Sequence, residues 1–149
     1  MRTSIIALLL LALLASACGD GAAASGPLGD GKEVYGSICS TCHGSRGQGG
    51  TGPALDTVTE TFPTCSEHTK WIALGSQGWK DTVGDTYGPS SKPVSGGMPT
   101  LGESLTADEI AAAAVYERVQ FSGLEEGAAL ADCGFTVTPT PESDPGADG

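Results

Sequence analysis

Positive charge, aromatic bulk and long apolar runs are all scarce in this chain. Seven lysines and arginines face eighteen aspartates and glutamates, for a formal net charge of −11, and a surface this acidic excludes a phosphate backbone as a partner. Phe, Trp and Tyr make up 5% of the residues, so side chains alone supply little bulk for a core. Histidine and methionine occur twice each, which leaves few choices for any site that needs an imidazole or a thioether. The apolar run over residues 5–14 is roughly half of what a membrane-spanning helix requires. No segment alternates apolar and polar residues long enough to demand a strand, and no internal repeat is present. The glycines at 44, 47, 49, 50 and 52 precede no Lys-Ser/Thr pair, so no phosphate cradle is encoded.

The two ends read as processing and solvation segments. Arg2, the apolar run and the small residues Ala15-Ser16-Ala17 ahead of Cys18 form a secretory signal over residues 1–17. Leu14-Ala15-Ser16-Ala17-Cys18 resembles a bacterial lipobox, in which the cysteine takes a lipid and becomes the mature N-terminus. Residues 18–29 are mostly Gly, Ala and Ser, a composition that cannot pack a core and suits a flexible tether. Residues 136–149 carry Pro139, Pro141 and Pro145 among acids, with almost nothing apolar beyond Val137, and read as a disordered tail. One small domain remains, residues 30–135.

What is present is concentrated in Cys39-Ser40-Thr41-Cys42-His43. C-x-x-C-H places two thiols on one helical turn, where they can meet the two vinyl groups of a porphyrin, and projects the next residue's ring nitrogen at the iron. The same dithiol spacing also serves zinc sites and dithiol oxidoreductases. Cys65-x-x-His68 would complete four ligands for a structural zinc, and that alternative leaves His43, Met98 and Cys133 without a role. No βαβ pattern surrounds the motif, which argues against a thioredoxin-like dithiol. If Cys18 carries lipid and Cys39 and Cys42 carry haem, Cys65 and Cys133 are left as a pair in an oxidising compartment.

Three helices announce themselves. Asp30 and Glu33 form a capping-box-like pair opening a helix that runs to about Cys42. Thr64 and Glu67 repeat the pattern ahead of Trp71, Ile72 and Leu74, with Gly75 as the expected stop. Thr106 and Glu109 do so again before Ile110, Ala114, Val115 and Val119 at helical spacing. His68, between Glu67 and Thr69, is expected on an exposed polar face, which weighs against it as an iron ligand. Met98, between Gly97 and Pro99 in a turn-rich loop, is the one methionine left once the signal is removed.

Over roughly Asp30 to Phe121 these residues resemble class I cytochromes c. Gly31-x-x-x-Tyr35 ahead of Cys39-x-x-Cys42-His43-Gly44 is similar to the family's N-terminal helix, and Leu105-Thr106-x-x-Glu109 onward to its C-terminal helix, with Tyr116 near Gly31 and Tyr35 where the two cross. Gly52-Pro53-Ala54-Leu55 resembles the loop whose proline carbonyl accepts a hydrogen bond from the ligating histidine and whose leucine lies on the porphyrin. Gly97-Met98-Pro99 resembles the distal ligand segment. The resemblance implies an all-α fold of three to four short helices around one covalently bound haem c. His43 would be its proximal ligand and Met98 its distal one, the soft thioether favouring the ferrous state. Trp79 and Tyr87 are candidates for contacts to the haem propionates.

The function expected is a carrier, not an enzyme: a single-haem electron carrier, exported and tethered through Cys18 to the outer face of a bacterial cytoplasmic membrane or held in the periplasm. Its partners would be redox proteins in or on that membrane, with neither nucleic acid nor a small-molecule substrate among them. A haem subunit of an oxidoreductase, a ligand sensor and the zinc-stabilised binding module are the alternatives.

Overall fold

A computed structural model describes residues 26–136; the signal, Cys18, most of the tether and all but the first residue of the tail lie outside the described residues. Helix α1, Pro27–Val34, begins three residues before the expected Asp30 boundary. Pro27 explains the early start: its fixed φ suits the first helical position and its missing N–H costs nothing there, and Asp30 then falls in the first turn, where a negative charge opposes the helix dipole. A π-helical turn, Tyr35–Cys39, interrupts the regular winding, and α2, Ser40–His43, completes the N-terminal helix.

The remaining elements are α3, Val58–Thr61, α4, Cys65–Thr82, the two-residue antiparallel strands β1, Thr86–Tyr87, and β2, Lys92–Pro93, α5, Ala107–Gln120, and α6, Glu126–Asp132. The architecture is mostly helical, as expected. Two of the caps are those the sequence announces: the Thr64 hydroxyl accepts from Glu67 N–H, and Thr106 with Glu109 closes a full capping box. Those two hydrogen bonds from Thr106 hold the Glu109 carboxyl below its ordinary value.

α1 and α5 cross at contact distance. A Cβ on Gly31 would stand 2.9 Å from the Tyr116 Cβ and closer still to the Ala112 carbonyl, so only glycine lets the backbones meet. Around that crossing the Tyr35, Tyr116 and Phe121 rings pack with centroids 4.9–5.6 Å apart. A second aromatic group fills the other end, where Phe62 lies between His68 and Tyr87 at 5.4 and 5.7 Å, with Trp71 and Trp79 against it. All the aromatics but Phe135 are thus spent in two places, where ring contacts add to their area burial.

Gly75 is a break inside α4 and not its end. Its φ of +64° leaves the helical region, and the winding resumes through Trp79 to Thr82. The reason is tertiary: a Cβ there would sit 2.5 Å from the Pro99 carbonyl. The second helical run then carries Trp79, whose indole N–H donates to the Thr86 carbonyl at 3.0 Å. Trp79 therefore closes its own loop, and its donor is committed within the protein.

The helix α6, which the sequence did not announce, is tied to the start of α4 two ways, and to α5 by a third contact. Cys65 and Cys133 form a disulfide with Cα atoms 5.1 Å apart. The Asp132 carboxylate accepts from the Cys65 N–H and from the Arg118 guanidinium, each at 2.9 Å. Arg118, 2% exposed, also donates to the Phe62 and Pro63 carbonyls at 2.9 and 3.1 Å. Burial holds its guanidinium below the ordinary value, and Asp132 works against that.

Candidate functional site

The C-x-x-C-H segment straddles the end of the π-turn and α2, so Cys39 and Cys42 fall on successive turns. Both thiols are unpaired; Cys39 is buried and Cys42 exposed. Burial, and then the neighbouring Glu117 carboxylate, push the Cys39 thiol up to about 12. Cys39 packs with Tyr35 and Leu55 in one buried cluster, and the Tyr35 hydroxyl donates to the Gly44 carbonyl at 2.5 Å. Tyr35 too is raised to about 12, by burial first and Glu117 second.

The loop after α2 folds back on the helix it leaves. Gly49 N–H donates to the His43 carbonyl and Gly52 N–H to the Cys42 carbonyl, at 2.8 and 2.9 Å, and Leu55 N–H reaches Gly47 O at 2.8 Å. This return brings the Pro53 carbonyl 2.8 Å from His43 Nδ1. A carbonyl can only accept, so the ring proton belongs on Nδ1 and the lone pair on Nε2. Nε2 is then the nitrogen available to a metal, with its orientation and basicity set by Pro53.

Met98 lies on a separate loop, pinned to α4 at its break. Met98 N–H donates to the Ser76 hydroxyl at 3.1 Å, and Ser76 N–H to the Met98 carbonyl at 3.0 Å. Thr100 Oγ1 donates to Leu74 O at 2.9 Å, and Gly102 N–H to Ala73 O at 3.0 Å. The Met98 side chain packs against the buried cluster of Cys65, Ile72, Leu101, Ile110 and Ala114, as does Ile38, next to Cys39. The distal loop and the helix bearing the thiols therefore rest on one core.

His68 is a correction to the reading of the sequence. It is 2% exposed, not on a polar surface, and its Nε2 lies 3.0 Å from the Glu117 carboxylate. The buried stripe of α4 runs through Cys65, His68, Ile72 and Ser76; three- and four-residue spacings from Ile72 carried that signal, and the polar neighbours Glu67 and Thr69 masked it. The four-ligand zinc arrangement does not form: Cys65 is bonded to Cys133, and among the described residues no group of three or more His, Cys, Asp or Glu could hold a metal ion. Glu117, 4% exposed, was missed because the alanine run from Ala111 to Ala114 marks no single apolar face from which its burial could be read.

Two free thiols on one helical run, followed by a histidine whose Nδ1 is fixed and whose Nε2 is open, are the donor set that a covalent porphyrin requires. With the helical fold they define a c-type cytochrome of class I, whose cofactor is a covalently bound haem c. A family model described as Cytochrome C oxidase, cbb3-type, subunit III matches residues 26–116, more than half of the chain, and the chain belongs to that family. No curated protein matches.

Among solved structures, the chain is similar to the c-type cytochrome XoxG from Methylobacterium extorquens AM1, at 22% identity and a TM-score of 0.45 over 65% of this chain and 52% of that one. It is also similar to cytochrome CL from Methylophaga aminisulfidivorans MPT, at 21% identity and 0.44 over 78% and 70%, and to cytochrome cL from Hyphomicrobium denitrificans, at 21% and 0.44 over 76% and 61%. The chain spans about half the length of the first of these.

Proposed function

We propose that this protein is a single-haem electron carrier of the extracytoplasmic membrane surface, in which Cys39 and Cys42 hold the haem through thioethers and His43 and Met98 are its axial ligands. The observation that carries the reading is the His43 Nδ1 contact to Pro53, which puts the ring proton on Nδ1 and leaves the Nε2 lone pair to serve as a ligand. Bound there, the haem supplies one-electron Fe(III)/Fe(II) cycling. The chain's own residues fix both ligands from the backbone: the 44–55 loop orients His43, and Ser76 orients Met98. Filling both axial positions leaves no place for oxygen or a substrate, which is why the carrier is preferred over a sensor or a haem enzyme.

Export by the 1–17 signal and lipidation of Cys18 would confine encounters with redox partners to the membrane surface and raise their effective concentration. Among the described residues no helix is long and apolar enough to cross a membrane. Lys92, one of the few cations of the chain, donates to Thr61 Oγ1 at 3.0 Å. Docking therefore relies on apolar contact or on a basic partner meeting the acidic surface.

Met98→Ala tests the reading. The variant is expected to bind carbon monoxide in the ferrous state while the unchanged protein binds it poorly, both keeping haem on the denatured polypeptide. Ready binding of carbon monoxide by the unchanged protein would favour the sensor or the enzyme.

A further inference from the structure

Glu117 and His68 are buried titratable groups with no part in holding the haem. The Glu117 carboxylate takes the His68 Nε2 contact at 3.0 Å with the two side chains 5% and 2% exposed. Its neighbour on α5, Tyr116, packs against the buried cluster of Tyr35, Cys39 and Leu55, and the Glu117 charge raises both the Cys39 thiol and the Tyr35 hydroxyl. Arg118, the next residue, does not neutralise it, being committed to Asp132 and to the Phe62 and Pro63 carbonyls. Among the described residues, His68 Nδ1 is buried with no hydrogen-bond partner. An imidazolium would carry a charged N–H at that atom with nothing to accept it, a far costlier orphan than a bare lone pair. The geometry therefore places one proton on Nε2, donated to Glu117, and none on Nδ1.

We infer that Glu117, held by a neutral His68, is a buried uncompensated anion beside the Cys39 thioether that shifts the haem iron toward its oxidised state. The inference rests on the covalent haem reading of the preceding section. An electron arriving at the iron adds negative charge near a carboxylate that water does not screen, so reduction is opposed. The thioether ligand Met98 favours the ferrous state, and Glu117 offsets part of that preference. When Cys39 becomes a thioether it loses its proton, and the carboxylate then keeps His68 as its partner. Glu117 is a positioning and tuning residue, since it acts through the field at the porphyrin edge and touches no ligand of the iron.

The test is a redox titration of Glu117→Gln, an uncharged residue of the same shape, after covalent haem has been verified on the denatured chain. At a fixed ambient potential the ferrous-to-ferric ratio is expected to rise on the order of tenfold over the unchanged protein. An unchanged ratio in a haem-loaded variant overturns the inference. His68→Gln supplies an independent arm should Glu117→Gln fail to mature, because glutamine can still donate to the carboxylate but can never be cationic. Its ratio is expected to stay within about twofold of the unchanged protein's. A fall on the order of tenfold would show that His68 had carried a positive charge, and the single buried anion would be wrong. A wild-type chain without covalent haem would end the functional reading and this inference together, whereas haem-loaded variants with unmoved potentials end this inference alone.

Discussion

Two segments of this chain place sulfur and imidazole at the same close spacing, Cys39-x-x-Cys42-His43 and Cys65-x-x-His68, and their fates are opposite. In the first the thiols stay free and one nitrogen of His43 is fixed while the other is left open. In the second the thiol and one ring nitrogen are consumed inside the protein, Cys65 by Cys133 and His68 Nε2 by Glu117, and the other ring nitrogen is buried. Spacing brings donors together, but availability is decided by what the surrounding helices offer them. α2 ends in a loop that offers a single carbonyl; α4 lies against α5 and α6, which offer a carboxylate and a cysteine. The first segment can therefore bind a cofactor, and the second can only brace the fold.

The sharpest way to break this contrast is to remove each pair of cysteines in turn. Cys39→Ser with Cys42→Ser should abolish haem staining of the denatured polypeptide completely. Cys65→Ser with Cys133→Ser should retain full staining, and loss of haem there would erase the distinction.

Next in size is His68→Ala, which leaves the Glu117 carboxylate buried without its partner. Taking the only side-chain donor from a buried carboxylate costs about 3 kcal/mol or more, the hydrogen bond being to a charged group, read as a lowered midpoint in denaturant unfolding of the haem-loaded protein. A loss under about 1 kcal/mol would mean that water reaches Glu117 and that the second segment is less sealed than the first.

The disulfide variant should also unfold more easily, although it keeps its haem. The bond closes a loop of sequence separation 68, for which chain entropy gives ~4 kcal/mol, an upper figure because haem already restrains the unfolded chain. Equal unfolding midpoints with and without the bond would show that Asp132 and Arg118 suffice to hold α6.

The smallest effect is one of pH in the haem-free chain. Folding raises Cys39 from 9.0 to about 12 and Tyr35 from 10.0 to about 12, so the fold favours both neutral forms. That contribution is complete below about pH 9 and is lost as pH rises toward 12. Urea midpoints of the haem-free chain should fall across that window, and Cys39→Ser should flatten the lower part of the fall.

How far the sequence announced this molecule varied with the kind of signal. The caps at Thr64 and Thr106 were legible because a hydroxyl three residues before a glutamate acts locally. Asp30 and Glu33 carried the same pattern and misled, since Pro27 supplied a better start one turn earlier. Gly75 was visible as a disturbance in α4, but its cause, the approach of Pro99, belongs to a loop far along the chain. The partner of Cys65 came from counting cysteines, whereas His68 was misplaced because its neighbours in sequence are polar and its partner Glu117 is not local at all. α6 left little trace: a short helix held by one disulfide and one shared carboxylate has no periodicity long enough to read.

The clasp between Ser76 and Met98 bears on speed. Both backbone groups of Met98 are bonded to one residue of α4, so the position of its main chain is fixed by the protein. As the proposed distal ligand, a methionine held in this way would have little distance to travel when an electron arrives or leaves. The reorganisation energy of the exchange would then be small, and brief encounters with a partner would be long enough for transfer.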